Sequence, residues 1–78
     1  MKYESRLHEF LCKITKDEKV IMAAACNVKV HYIQRVARNE VNEPGFNKMM
    51  KICQYTKMYS EKYPERELPV ITIEEYFK

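Results

Sequence analysis

Seventy-eight residues carrying a formal net charge of +3 allow one domain with a thin core, because a chain of this size hides only about 60–65% of the surface its unfolded form exposes. Stability must then come from staples, an oligomer or closely packed helices. Three widely spaced cysteines, Cys12, Cys26 and Cys53, cannot close a disulfide framework and lack the paired spacing of a zinc site. They read as buried small hydrophobes in a reducing cytoplasm. No run approaches the roughly 18 apolar residues of a membrane span, and the start lacks the apolar stretch of a signal peptide.

Charge placement says more than its total. Residues 1–18 balance four basic against four acidic side chains, whereas residues 19–38 hold Lys19, Lys29, Arg35 and Arg38 with no acid. Glu40 and Glu43 follow, then four lysines against Glu61 over residues 48–62, and the tail is net negative. Two basic stretches around a short acidic loop suit a polyanionic partner.

In chain order, Leu7, Phe10, Leu11 and Ile14 fall at i, i+3, i+4 and i+7, with Tyr3 one turn earlier, and predict a first helix of three turns. Thr15 followed three residues later by Glu18 is a capping-box signature, and Asp17 and Glu18 favour the positive end of a helix dipole. A second helix therefore runs from about Lys16 through Ala25. Asn27, which tolerates left-handed backbone, stops it, Val28 plugs the corner, and a third helix starts near Lys29. Asn39 to Pro44 reads as a polar loop punctuated by Pro44-Gly45. Phe46, Met49, Met50 and Cys53, extended by Ile52, Thr56 and Tyr59, predict a fourth helix to about Ser60, with Pro64 barring continuation. Met49, Met50 and Met58 read as core filler. The tail is expected to be extended to Ile71 and then helical, since Thr72 and Glu75 form a second capping box.

Residues 19–38 fit the demands of two helices joined by a three-residue turn. Ala23 is small where the second helix of the pair presses on the first, Asn27 can take positive φ, and Val28 fills the corner. Met22 and Cys26 complete the inner face of one helix, and Ile33 and Val36 face inward from the other. The outward face is then Lys29, His31, Gln34, Arg35 and Arg38, without an acid.

Leu-His-Glu-Phe-Leu before the capping box, Met-Ala-Ala-Ala-Cys-Asn-Val, Tyr-Ile-Gln-Arg-Val-Ala, and Glu-Pro-Gly-Phe-Asn-Lys-Met-Met-Lys-Ile give Leu7 to Thr56 a family likeness. This stretch resembles the phage Cro-type and YdaS-type helix-turn-helix proteins of the lambda-repressor-like superfamily. Asn27 stands where that family prefers glycine, and Lys29 where it often has Ser or Thr. The resemblance implies an all-α fold, a small four-to-five-helix lambda-repressor-like domain over residues 1–62, with a C-terminal tail over residues 63–78.

A recognition helix meets base edges in the major groove with its early outward residues. Lys29, Val30, His31, Gln34, Arg35 and Arg38 are the expected base contacts: Gln34 can pair with adenine, Arg35 or Arg38 with guanine, and Val30 can touch a thymine methyl. Lys19, Tyr32, Asn47 and Lys48 are the expected phosphate contacts, the last two at the free N–H groups of the fourth helix. Tyr32 has a second reading, with its ring packed on helix one. Val20 and Ile21 cannot both pack inside one domain, and together with Val70, Ile71, Ile73, Tyr76 and Phe77 they suggest a homodimer seam.

The expected function is a cytoplasmic, Cro-like repressor that occludes a promoter on double-stranded DNA, with no cofactor and no small-molecule substrate. The alternative is a protein-interaction module on the same fold, such as an antitoxin or anti-defence protein. No carboxylate pair, nucleophile–base constellation or glycine-rich phosphate cradle points to an enzyme. Exposed aromatic clusters of the kind that stack RNA bases are not evident either.

Overall fold

A computed structural model describes residues 3–77. Four α-helices follow in order: α1 (Arg6–Cys12), α2 (Lys16–Ala25), α3 (Val30–Ala37) and α4 (Phe46–Lys62). Short 3-10 turns at Pro64–Arg66 and Ile73–Glu75 complete an all-helical fold, with no strand among the described residues.

Each boundary has a local cause. Ser5 caps α1 by accepting from the His8 N–H at 3.1 Å. The helix spans two turns rather than the expected three: Tyr3 lies outside it, edge-on to the His8 ring, and Lys13 closes it. Ile14 remains buried just beyond its end. The capping box opens α2 as expected, with Thr15 and Glu18 each satisfying the other's backbone N–H. The helix α4 reaches Lys62, where Tyr63 and Pro64 halt it.

Leu7, Phe10 and Leu11 of α1, Met22, Ala23 and Cys26 of α2, and Ile33, Val36 and Ala37 of α3 meet in one core. The face that α4 contributes differs from the expected stripe. Met49, Ile52, Thr56 and Tyr59 are buried, while Phe46 is 54% exposed and Met50 and Cys53 are half-buried. Ile52 lies inward with Met49, three residues away, and at about 100° per residue that turns Phe46 to the rim. Phe46 instead meets Phe77 edge to face at 5.3 Å. Met58 is exposed rather than core filler, and so is Cys12 rather than buried. Burial pushes the Cys26 and Cys53 thiols up to about 11, so both stay protonated near neutrality.

The tail follows the expected course, extended to Thr72 and then a capped turn, but it is not exposed. Leu68 and Ile71 are buried in the same core, and Ile73, Tyr76 and Phe77 pack against it. Thr56, fully buried in α4, donates to the Cys53 carbonyl and accepts the Ile71 N–H at 3.2 Å. Ser60 donates to the Leu68 carbonyl, and Lys13 Nζ donates to the Glu67 carbonyl. The apolar tail is therefore spent on its own chain, which corrects its expected role as a free seam.

Candidate nucleic-acid interface

The α2–α3 corner is fixed by backbone chemistry. Beyond the last turn of α2, the Asn27 N–H donates to the Ala24 carbonyl at 3.1 Å and the Val28 N–H to the Ala23 carbonyl at 3.0 Å. With Asn27 at φ 57, this is a Schellman motif, in which a left-handed residue lets the chain turn back onto free helix carbonyls. Val28 is half-buried against the core, and Ile33 and Val36 are buried, so α3 seats its inner side as the spacing predicts.

The same device ends α3. Asn39 takes φ 61, its N–H donates to the Val36 carbonyl, and the Glu40 N–H donates to the Arg35 carbonyl. Two side-chain ties hold this end against the segment before α1. Ser5 Oγ donates to the Ala37 carbonyl at 2.7 Å, and Asn39 Nδ2 donates to the Glu4 carbonyl at 3.1 Å. The helix is thus anchored at both termini.

Around α3 the buried side chains of Ile33, Val36 and Ala37 define one direction, and at 100° per residue His31, Arg35 and Arg38 project opposite to it. All three are exposed, as is Lys29 at the N-cap, which makes no side-chain cap. Gln34 and Tyr32 flank this ridge and are half-buried, and Val30 is half-buried against the core rather than fully outward.

Cations border the ridge on both sides. On one flank Lys19 and Gln34 line a small depression of about 170 Å³ with Arg38, His8 and Cys12. On the other, an open cleft of about 560 Å³ runs between the corner and α4, lined among others by Lys29, His31, Arg35 and Lys48. Tyr32 joins the two helices at this cleft. Its hydroxyl accepts the Gly45 N–H at 3.2 Å, and Lys48 Nζ lies 5.0 Å from its ring centre. The hydroxyl keeps its own proton free for an acceptor, so its bond to Gly45 leaves an anion contact open. The ring reaches toward α4, not helix one. Asn47 and Lys48 are exposed in the first turn of α4, whose N-cap Gly45 provides no side chain to its N–H groups.

The nearest acid is Glu40, whose Oε1 lies 3.9 Å from Arg35 Nε with both side chains about half exposed. A pair of that length and exposure is worth little in water and does not hold the guanidinium away from a better anion. No group of three or more His, Cys, Asp or Glu able to hold a metal ion occurs among the described residues. No helix of the described chain is long and apolar enough to cross a membrane.

Sequence reasoning missed one cluster: Arg66 from the tail meets Glu18 at the start of α2, beside Tyr59 and Tyr63. It sits at the first turn of α2, whose opposite end carries the corner. The only signal for it was the doubling of Glu18 as capping residue and free carboxylate. Comparison of the chain with known protein families, curated proteins and solved structures finds no match.

Proposed function

We propose that the chain is a sequence-specific double-stranded DNA-binding protein of lambda-repressor-like helix-turn-helix type, and that α3 enters the major groove to read bases. The observation that carries this reading is the exposed ridge of His31, Arg35 and Arg38, anchored at both ends and bordered by Lys19 on one side and Lys29 and Lys48 on the other. A major groove about 12 Å wide admits one helix, and a cationic ridge whose neighbouring acid is the loosely held Glu40 meets little repulsion from the phosphates on each wall. Arg35 and Arg38 present planar forks suited to guanine, and Gln34 an amide suited to adenine. In this reading Lys19, Tyr32, Asn47 and Lys48 hold backbone phosphates, which sets register without reading sequence. Binding at a promoter then represses by excluding polymerase.

Selection of bound duplexes from a random pool tests this directly. A defined enriched site, bound with an affinity that falls steeply as salt rises, is the expected result. Absence of binding to any duplex at low salt refutes it and leaves a protein-interaction role for the same surface.

A further inference from the structure

We propose that the outer side of α2 docks an acidic amphipathic helix of a partner protein, which crosses it at Ala24 and Ala25. This goes beyond the DNA reading and does not depend on it. Val20 and Ile21 belong neither to the core nor to the proposed DNA surface, and they are 53% and 61% exposed. At 100° per residue they lie on the side of α2 opposite Met22, Ala23 and Cys26, together with Ala24 and Ala25, which are exposed as well. Four neighbouring apolar side chains on one exposed helix face mark an interaction surface rather than scattered surface residues. The face lies between two hollows. Ala24 opens onto the cleft of about 560 Å³, where Val28 and Tyr32 supply apolar wall, and Ala25 onto a shallow depression of about 260 Å³ beside Tyr55 and Met58. A helix laid across the two alanines can lower apolar side chains into both hollows at i and i+3 or i+4 spacing.

Charge sets the partner's chemistry. Lys48 stands on the cleft and Lys51 on the depression, three residues apart on α4. Neither they nor Lys29 takes part in an ion pair among the described residues, and Arg35 has only the loose Glu40 contact. No acid among the described residues lines either hollow. On α2 itself, Glu18 is held by Arg66 and Tyr59, and Asp17 is the one acid on the outer side, two turns before Ala24. A segment with carboxylates beside its apolar stripe therefore meets cations on both sides of α2. A second copy seated about the same two alanines would bring lysines against lysines. One helix covers less than the roughly 1,200–2,000 Å² buried by stable complexes, so affinity in the micromolar range or weaker is expected.

Selection from a displayed library of randomised helical peptides against the full chain, without DNA, tests this. Enriched peptides should repeat apolar residues at i and i+3 or i+4 with Asp or Glu alongside. The best of them, synthesised and labelled, should bind with micromolar affinity by anisotropy. Val20→Asp and Ile21→Asp, both at exposed positions, should leave helical circular dichroism unchanged and each weaken that binding by about tenfold or more. Lys48→Glu combined with Lys51→Glu should weaken it as much. No enrichment overturns the proposal, as do enriched peptides without acids, or binding by folded protein that is indifferent to both aspartate variants. Sedimentation velocity supplies the remaining arm: a wild type that self-associates through Ile21 gives this face to a second copy and overturns the proposal too.

Discussion

Glu18 and Arg66, 48 positions apart, meet with one guanidinium nitrogen 2.9 Å from both carboxylate oxygens. The same carboxylate accepts the Tyr59 hydroxyl and the Thr15 backbone N–H, so it joins the start of α2, the last turns of α4 and the tail. Arg66 in turn lies 4.6 Å from the Tyr63 ring centre and 5.9 Å from that of Tyr59. A helix cap thereby becomes the fastening of the C-terminal segment.

This arrangement makes stability pH-dependent in the acid range. The Tyr59 hydroxyl first, then the Thr15 N–H and Arg66, hold the Glu18 carboxyl down at about 2 from an ordinary value of 4.5. The unfolded chain takes up this proton near 4.5 while the folded chain refuses it until about 2. The contribution is complete above that upper value and is lost as pH falls through the lower one. Urea midpoints should fall across this window, and Glu18→Gln should flatten the dependence. A wild type whose midpoint is constant there contradicts the assignment.

Tyr59→Phe separates the hydroxyl from the ring. Burial and the neighbouring Glu18 push the Tyr59 hydroxyl up to about 12, so it donates throughout the accessible range. Losing one hydrogen bond to a charged acceptor is expected to cost about 1.5–3 kcal/mol by chemical denaturation, with the ring packing retained. Near-neutral behaviour would show that Arg66 and Thr15 satisfy the carboxylate alone.

Ile71→Ala tests whether the tail belongs to the core. Ile71 is 1% exposed and its N–H is held by Thr56. Truncating a buried isoleucine should remove about 2–5 kcal/mol. Val70→Ala, at a half-buried neighbour, should cost clearly less. Equal and small losses at both positions would return the tail to the status of an appendage.

Much of this was legible in the sequence because local chemistry decided it. The limits of α2 followed from Thr15, Glu18 and Asn27, and the inner side of α3 from Ile33 and Val36. Asn39 was also legible in principle, since it follows the last turn of α3 as Asn27 follows that of α2. What escaped depended on partners remote in sequence. Nothing near Arg66 specifies Glu18, and the choice between Phe46 and Ile52 as an inward residue was made by where α4 crosses the core. The ridge was readable from periodicity, but its flanks were not: only folding brings Lys19 beside Gln34, and Lys48 beside Tyr32.

The left-handed corner residue offers a backbone test. With Asn27 at φ 57, Asn27→Ala keeps the Cβ that crowds the following carbonyl and loses the short polar side chain that eases this conformation, whereas Asn27→Gly removes the crowding. Thermal or urea unfolding should find the alanine variant about 1 kcal/mol less stable than the glycine variant. The reverse order would mean that left-handed strain at this position is smaller than the unfolded-chain freedom that glycine adds.

Arg35 and Lys19 should separate reading from holding. Arg35 stands at the centre of the exposed ridge with only the loose Glu40 contact to give up, while Lys19 flanks it from the start of α2. If α3 reads bases, Arg35→Ala should lower affinity for the selected site by about 1–3 kcal/mol and barely change binding to random duplex. Lys19→Ala should weaken both alike and reduce the slope of log affinity against log salt by about one. Paired anisotropy titrations of the two variants on both duplexes decide between these outcomes. Equal losses would mean that α3 lies along the backbone rather than in the groove, because a guanidinium on a phosphate cannot tell one sequence from another.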